Sequence, residues 1–348
     1  MDLRVGLRTQ VSGVRWRVQQ IAPSAPHLEV ALDGTVLFKT VGTADVFDAT
    51  VSAGRITVTR TTGATKSLVG RGSRLAIRWS GTRTSNTTGK IPGVVQLTSP
   101  GASLTSSSPR YRYGWLDVAP SSATASTLNV VNPVRLHDEY LYGIGEVPSS
   151  WPAAALQAQV VAARSFAYTK YHAGLRSVCG CHVYGDTRDQ NFTGFGKLAE
   201  GSWGAVWKAA VDATAVDATH GQAVTYRGAV ITAYYGDSTG GRTQNIEDAW
   251  GGTAIAWARS VDDHWSANPA YGGSYASWTP RTRTQAAVAS AFGLPNVVTV
   301  VVSKRFASGA AAVLTATSST GATKTMTGEQ ARTRFSLPST YVRTVAKA

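Results

Sequence analysis

The chain has 348 residues, 43% of them hydrophobic, which is enough to bury a core in one large domain or in two or three small ones. It contains no run of about 18 apolar residues, so we expect no membrane-spanning helix. The formal net charge of +14 predicts either an anionic partner or a diffuse solubilising surface. Nucleic acid is disfavoured as that partner because the 34 Lys and Arg residues form no basic run and no zinc-finger or RNP-type motif accompanies them.

Short β-branched segments separated by Gly, Ser, Thr and Asn turns fill the first 130 residues, a spacing typical of a β-rich sheet or barrel. The N-terminal residues lack the apolar centre of a secretory signal, so no export address is visible. The strands are predicted over residues 27–37, 46–59, 73–79, 94–97 and 110–118. Between them, segments 81–90 and 99–109 are rich in Ser, Thr and Gly and are expected to be exposed loops.

A turn bounded by Gly and Pro carries one carboxylate, Glu146, just ahead of a strongly predicted helix. Ser149 and Ser150 are suitable N-cap residues, and Pro152 suits the first helical position. We predict that the helix runs from Pro152 to His172. Its apolar stripe recurs at steps of three and four, at Leu156, Val160, Ala163 and Ala167. On spacing alone, Glu146 either complements the positive end of the helix dipole or serves as an active-site acid, and both interpretations stay open.

The rest of the chain alternates helical and strand patterns. The predicted elements are a helix near 205–213, a hairpin around 222–235, a short helix over 284–292, and strands over 297–304 and 311–317. We divide the chain into a β-rich N-terminal part (1–130), a core with Glu146 and a Ser/Gly-rich loop (131–270), and an α/β closing segment (271–348). The expected fold class is α+β with more strand than helix, in which one long helix follows the Glu146 turn.

Four motifs follow one another in a fixed order along nearly the whole chain. They are Tyr111–Leu116 with Leu128–Asn132, the Glu146–Pro152 turn with its helix, the loop Ala233–Thr243, and Thr327–Gly328 with Leu337–Thr340. Together they resemble the stage II sporulation protein D family of peptidoglycan lytic transglycosylases. The resemblance implies one catalytic fold decorated by two β-rich subregions.

In that family a single Glu protonates the leaving glycosidic oxygen and then accepts a proton from the muramic acid 6-hydroxyl, which closes a 1,6-anhydro ring without water. The resemblance assigns both roles to Glu146. The neighbouring acids Asp138 and Glu139 are expected to cap or solvate the approach to the turn, and they are the fallback partners for a hydrolase that needs two carboxylates.

The resemblance also implies six substrate contacts, and aromatic chemistry adds Trp151 and Tyr235. The six are Gln159, Arg164, Ser238, Gly240, Gly241 and Thr243. Trp151 and Tyr235 offer flat faces for stacking on a sugar ring. For Arg164 a surface salt bridge is an equal alternative, and for the Ser/Gly loop the alternative is a plain hairpin turn. The chain departs from the family at Asp237, where serine is usual, and this residue would be a second carboxylate near Glu146.

Both cysteines lie in one loop, as Cys179-Gly-Cys181-His182, with His172 seven residues before Cys179. Some members of the family hold zinc in this loop, but the Cys-x-Cys-His spacing departs from the usual one, and adjacent Cys181 and His182 cannot easily share one tetrahedral site. A disulfide between Cys179 and Cys181 is the preferred interpretation, with structural zinc as the alternative. We expect no required cofactor and no catalytic metal.

The predicted function is a lytic transglycosylase that cleaves the MurNAc–GlcNAc bond of peptide-stripped glycan strands and leaves 1,6-anhydro-MurNAc ends. The alternative within the same fold is a non-catalytic wall-binding protein or amidase enhancer. The expected partners are peptidoglycan glycan strands and a cell-wall amidase, not nucleic acid. The location implied by the resemblance is extracellular or in the cell wall, in sporulation or in general wall remodelling.

Overall fold

The structure is a computed structural model and describes residues 1–85, 92–236, 238–272, 276 and 281–347. It divides the chain into two units, Met1–Tyr234 and Tyr235–Ala348. The boundaries of these units differ from those of the three predicted segments. At the predicted boundary after residue 130, the chain continues in one strand, β12 (Leu128–Arg135), which pairs with β1 (Asp2–Val11). The part of the predicted loop 81–90 that begins at residue 86 lies outside the described residues.

Alternating apolar residues make the first 135 residues into strands. After β1 and before β12 these are β2 (Gly13–Gln20), β3 (His27–Leu32), β4 (Thr35–Val41), β5 (Asp45–Ser52), β6 (Arg55–Thr62), β7 (Thr65–Gly72), β8 (Leu75–Trp79), β9 (Gly93–Thr98), β10 (Arg110–Tyr111) and β11 (Leu116–Pro120). Most of the predicted strands are confirmed, although 27–37, 46–59 and 110–118 each contain parts of two strands. β1, β2 and β7 were not predicted.

Among the described residues, the strands of the first unit form two larger sheets. One has the order β13-β1-β12-β11-β8-β3-β4, where β13 is Val183–Tyr184, and the other has the order β10-β9-β2-β5-β6-β7. Side chains from both sheets contribute to one apolar core. Trp16 of β2 and Phe47 of β5 are cross-strand partners with stacked rings 5.4 Å apart, and both are fully buried. Pairs of this kind fix the strand register because a slip of one residue would expose both rings.

The helices of the first unit pack on the same apolar core. They are α1 (Glu139–Tyr142), α2 (Ala153–His172), α3 (Phe195–Leu198) and α4 (Ser202–Ala213), followed by a hairpin of β14 (Thr225–Tyr226) and β15 (Ala229–Val230). The apolar stripe predicted for α2 is buried, which confirms the helix and its period. The predicted serine cap is wrong: Pro152 is the N-cap, with no side-chain hydrogen bond, and Ser149 contacts Glu200 instead.

The second unit has its own core around a three-stranded sheet. Its elements are α5 (Ile246–Trp250), a 3₁₀ helix (His264–Ala267), α6 (Pro269–Gly272), α7 (Gln285–Phe292), β16 (Thr299–Arg305), β17 (Ala311–Thr317), β18 (Thr323–Thr327) and α8 (Gly328–Phe335). α8 begins with a capping box, in which Thr327 and Gln330 satisfy each other's backbone amides.

Strand residues outnumber helical ones across the described part of the chain, so the predicted α+β, β-rich fold class is confirmed. None of the helices among the described residues combines the length and apolar character needed to cross a membrane.

One buried carboxylate ties three parts of the first unit together. Asp117 of β11 is 2% exposed and accepts hydrogen bonds from Arg4 (2.6 Å) and Arg74 (2.6 and 2.7 Å). Arg4 also donates to the carbonyl of Gly180, 2.7 Å away. Burial raises the pKa of Asp117, but the hydrogen bonds and charges of Arg74 and Arg4 outweigh it, so the pKa lies below its usual value.

We therefore expect Asp117→Asn to lower the free energy of unfolding by about 3 kcal/mol at pH 7, because two arginines lose their anionic partner. A carboxylate whose pKa is lower in the folded state stabilises the fold above the unfolded pKa of about 4 and ceases to do so as the pH falls through the folded pKa. Urea unfolding between pH 7 and pH 2 should therefore show a shallower acid-side loss in Asp117→Asn than in the wild type. Asp186→Asn, which removes an exposed ion pair with Arg188, is the control, and an equal loss in both variants would contradict the assignment.

Candidate active site

The turn that carries Glu146 is hydrogen bonded to a segment more than forty residues further along the chain. The backbone amide of Asn191 donates to Oε1 of Glu146 at 2.7 Å. Gly145 and Asn191 are also joined by a backbone hydrogen bond of 2.8 Å and by the Asn191 side-chain amide, 3.0 Å from the Gly145 carbonyl. Thr193 donates its backbone amide to Gly143 at 2.8 Å. The half-buried Glu146 carboxyl is therefore aimed by backbone contacts on both sides of it.

A buried ammonium group supports the same turn from the other side. Lys197 is 2% exposed, and its Nζ donates to the Val147 carbonyl at 2.7 Å and lies 3.4 Å from Glu200. The ammonium also lies 5.2 Å from the centre of the Trp207 ring. Glu200 in turn accepts a hydrogen bond of 2.5 Å from Ser149. The residues before and after Glu146 are thus fixed independently of α2.

Helix α1 reaches the turn with its aromatic hydroxyls hydrogen bonded. Tyr140 donates to Gln190 at 2.7 Å, and Tyr142 donates to Asp212 at 2.6 Å. Burial, followed by the hydrogen bond and charge of Asp212, raises the pKa of the Tyr142 hydroxyl. Both tyrosines are buried, so they hold the entry to the turn.

Asp138 and Glu139, the acids nearest in sequence to the turn, have structural partners. Asp138 is the N-cap of α1 and pairs with Arg135, as its expected capping role requires. Glu139 is 4% exposed, pairs with Arg83 at 3.0 Å and accepts the backbone amide of Arg135 at 2.8 Å. Neither acid is presented as a second catalytic carboxylate.

The three predicted substrate contacts on or before α2 have different environments. Trp151 is 40% exposed just ahead of the helix, as a stacking surface requires. Gln159 is buried, and its Nε2 has no hydrogen-bond partner among the described residues. Arg164 is 3% exposed and bonds the Gln222 carbonyl at 2.8 Å and the Thr214 hydroxyl at 2.9 Å.

The surface salt bridge considered for Arg164 is therefore wrong. Burial lowers the pKa of its guanidinium to about 10, and the charge of Asp138 opposes that shift only in part. The guanidinium makes its hydrogen bonds to backbone carbonyls and a hydroxyl, so it joins α2 to the segment 214–222.

The remaining predicted contacts lie in the second unit, on the Ser/Gly loop. Gly240 and Gly241 have φ angles of +73° and +107°, and a Cβ atom on Gly240 would lie 2.6 Å from the Tyr341 ring. These glycines are therefore required by the loop's own backbone. Thr243 exchanges hydrogen bonds with the backbone of Val261, and Tyr235 is 38% exposed. Ser238 lies in the same loop, whereas Asp237 is outside the described residues. Substrate contact by the loop stays a prediction.

The cysteine loop contains a disulfide between Cys179 and Cys181, both buried. The two histidines considered as metal ligands have other contacts: Nδ1 of His182 accepts the Arg4 backbone amide at 3.0 Å, and His172 packs against Tyr168, with ring centres 4.4 Å apart. These four side chains therefore do not fit a zinc ion in this state. The described residues also include no group of three or more His, Cys, Asp or Glu side chains placed to hold a metal.

Residues 124–226 match the family model described as Stage II sporulation protein, SpoIID. The match contains the Glu146 turn, α2 and the Asn191 segment, so the family resemblance predicted from the motifs is confirmed: the chain carries a SpoIID domain. The Ser/Gly loop and the closing motifs lie outside the matched range.

Two curated relatives match part of this chain. The amidase enhancer of Bacillus subtilis (strain 168) is 32% identical over 105 residues, which cover 30% of this chain and 12% of that protein. An uncharacterised protein of Brachyspira hyodysenteriae (strain ATCC 49526 / WA1) is 32% identical over 143 residues, or 40% of this chain and 34% of the relative. The chain therefore spans about an eighth and about a third of the lengths of these two relatives.

If Lys197 supports the turn, Lys197→Met should lower the free energy of unfolding by about 1–3 kcal/mol, because the buried Val147 carbonyl loses its donor. Lys39→Met is the matched control, since the Lys39 side chain is 71% exposed and pairs with Glu29 at 3.5 Å, so its loss should cost less than about 1 kcal/mol. Thermal and urea unfolding measure both variants. Equal stabilities would contradict a supporting role for Lys197.

The disulfide predicts that thiol titration of the purified, unfolded protein finds no free thiol and that a strong chelator leaves the melting temperature unchanged. Zinc-dependent folding would couple the loss of metal directly to the loss of structure. Stoichiometric zinc in the purified protein, released together with unfolding, would contradict this prediction.

Proposed function

We propose that the chain is a peptidoglycan lytic transglycosylase that cleaves the MurNAc–GlcNAc bond of peptide-stripped glycan strands. The observation that carries the proposal is the Glu146 carboxyl, half-buried and held by the backbone amide of Asn191 within a turn fixed on both sides. Rigid presentation of an acid is what general acid catalysis requires, because the proton must be delivered along a defined direction.

In this mechanism Glu146 donates its proton to the glycosidic oxygen, and the bond from that oxygen to C1 of MurNAc breaks. The Glu146 carboxylate then accepts the proton of the C6 hydroxyl of the same sugar, and O6 forms a bond to C1. The products are a strand with a 1,6-anhydro-MurNAc end and a strand with a new GlcNAc 4-hydroxyl. The carboxyl ends protonated, ready for the next cycle.

The contacts of the nearby acids support one carboxylate over two. A hydrolase of the usual kind places a second carboxylate about 5–10 Å from the acid, as nucleophile or base. Asp138 and Glu139 are engaged by Arg135 and Arg83, and Glu200 by Lys197 and Ser149. Each of these acids has a structural task that a catalytic role would disrupt.

The charge of the chain agrees with this substrate. A net charge of +14 favours a polyanionic matrix, and a cell wall that carries muramic carboxylates and teichoic phosphates is one. We infer an extracellular or wall location on the same grounds.

A second candidate is a non-catalytic amidase enhancer of the same fold. It is favoured by the name of the Bacillus subtilis relative, which is 32% identical to this chain over 105 residues. In that case the chain would bind a cell-wall amidase and raise its activity, and Glu146 would be dispensable.

Glu146→Gln distinguishes the two candidates. The amide keeps the size of the side chain but neither donates nor accepts the catalytic proton, so turnover of purified peptide-free strands should fall by about 10² or more while strand binding persists. Glu329→Gln, on an exposed ion pair of α8, is the control and should retain full activity. Mass spectrometry of the wild-type products should find 1,6-anhydro-MurNAc ends.

Reducing MurNAc ends would show hydrolysis and would require a second carboxylate. Full activity of Glu146→Gln would overturn the catalytic assignment. A wild-type chain that cuts no strand but accelerates a purified wall amidase, with Glu146→Gln equally effective, would establish the enhancer function.

A further inference from the structure

Two aromatic side chains of the second unit form an exposed right-angled pair. Trp265, in the 3₁₀ helix, is 54% exposed, and Tyr271, in α6, is 68% exposed. Their ring centres are 5.1 Å apart, and the ring planes are perpendicular. The His264 ring lies 4.2 Å from Trp265 on the same surface. Exposed aromatic rings held in a defined arrangement mark a binding surface more often than isolated exposed side chains do.

The backbone beneath Trp265 is hydrogen bonded to the Ser/Gly loop. Asp263 donates its amide to the Gly241 carbonyl at 3.0 Å and accepts the Thr239 hydroxyl at 2.6 Å. The Ser266 hydroxyl accepts the Gly241 amide at 3.1 Å. The residues on either side of Trp265 thus anchor it directly to the loop predicted to contact substrate.

The chemistry around the pair suits a sugar better than a protein partner. Segment 262–271, Asp-Asp-His-Trp-Ser-Ala-Asn-Pro-Ala-Tyr, contains no Leu, Ile, Val or Met. Protein docking surfaces have an apolar centre, whereas here the rings are bordered by the exposed ion pair of Asp262 with His264 and by Asn268. A pyranose ring has an apolar C–H face and polar hydroxyl edges, and this surface offers a flat apolar face with polar groups beside it.

We propose that Trp265 and Tyr271 form a glycan subsite that stacks on one N-acetylhexosamine ring of the strand, next to the Ser/Gly loop. The inference rests on the proposed function for its substrate class. Ring stacking contributes to affinity for the strand, and not to the proton transfers assigned to Glu146.

The test measures binding apart from turnover. Fluorescently labelled, peptide-free glycan strands are titrated into Glu146→Gln, so that the strands stay intact, and into the same chain with Trp265→Ala or Trp265→Phe. Trp265→Ala should weaken binding about tenfold, whereas Trp265→Phe, which keeps a flat ring, should recover most of the affinity. Tyr271→Leu, at a still more exposed position, gives a second variant whose folding is not in question, and it should also weaken binding.

Trp203→Ala is the matched control, because Trp203 is 50% exposed on α4 and takes no part in the subsite. In the otherwise wild-type chain, Trp265→Ala should raise KM for long strands with kcat nearly unchanged. Unchanged strand affinity in both Trp265→Ala and Tyr271→Leu overturns the subsite. A parallel titration uses labelled single-stranded DNA. If Trp265→Ala abolishes DNA binding and leaves glycan-strand binding intact, the rings are a base-stacking surface and the subsite is overturned.

Failure of the proposed function gives a different pattern. In that case the wild-type chain releases no 1,6-anhydro ends, while the binding titrations still report whether the two rings hold a glycan strand.

Discussion

The position of the Glu146 carboxyl, and with it the candidate site of the first unit, depends on the pairing of the Glu146 turn with the Asn191 segment. The backbone of residues 143–145 is hydrogen bonded to that of residues 191–193, and the backbone amide of Asn191 donates a hydrogen bond to the Glu146 carboxyl itself. A side chain on a turn of Gly and Pro residues would otherwise sample several directions. The pairing gives it one direction at the cost of ordering two loops, and the buried Lys197 stabilises that arrangement.

Local patterns in the sequence predict most of the helices and strands. They do not predict the contacts that hold the Glu146 turn. The period of α2 predicts its buried face, and the β-branched alternation predicts most of the strands of the two sheets. Asn191, Lys197 and Glu200 carry no such pattern, because their partners lie 45, 50 and 51 residues away in the chain. Their segment, Gln-Asn-Phe-Thr-Gly-Phe-Gly-Lys, looks like an ordinary loop until the turn is packed against it.

Arg164 and the serines before α2 show where local rules mislead. A charged residue in a helix is usually exposed. A serine close before a predicted helix is a preferred N-cap residue. Here the buried Arg164 guanidinium donates to the Gln222 carbonyl and the Thr214 hydroxyl, and Ser149 donates to the Glu200 carboxylate. In both cases a tertiary partner of higher charge or better geometry outweighs the local preference, and no single-sequence pattern reveals that partner.

The strand β1 has a consequence for the order in which the unit assembles. Its two neighbours in the sheet are β12 and β13, so β1 pairs with residues 128–135 and 183–184, which are synthesised long after it. Arg4 adds contacts to Asp117 and to Gly180, which is 176 residues away. Both edges of β1 therefore stay unpaired until most of the unit has been synthesised. Closure of the sheet is a late, nonlocal event, and such topologies fold slowly and expose strand edges to aggregation until they close. The long-range pairing of β1 thus makes closure of the seven-stranded sheet kinetically costly.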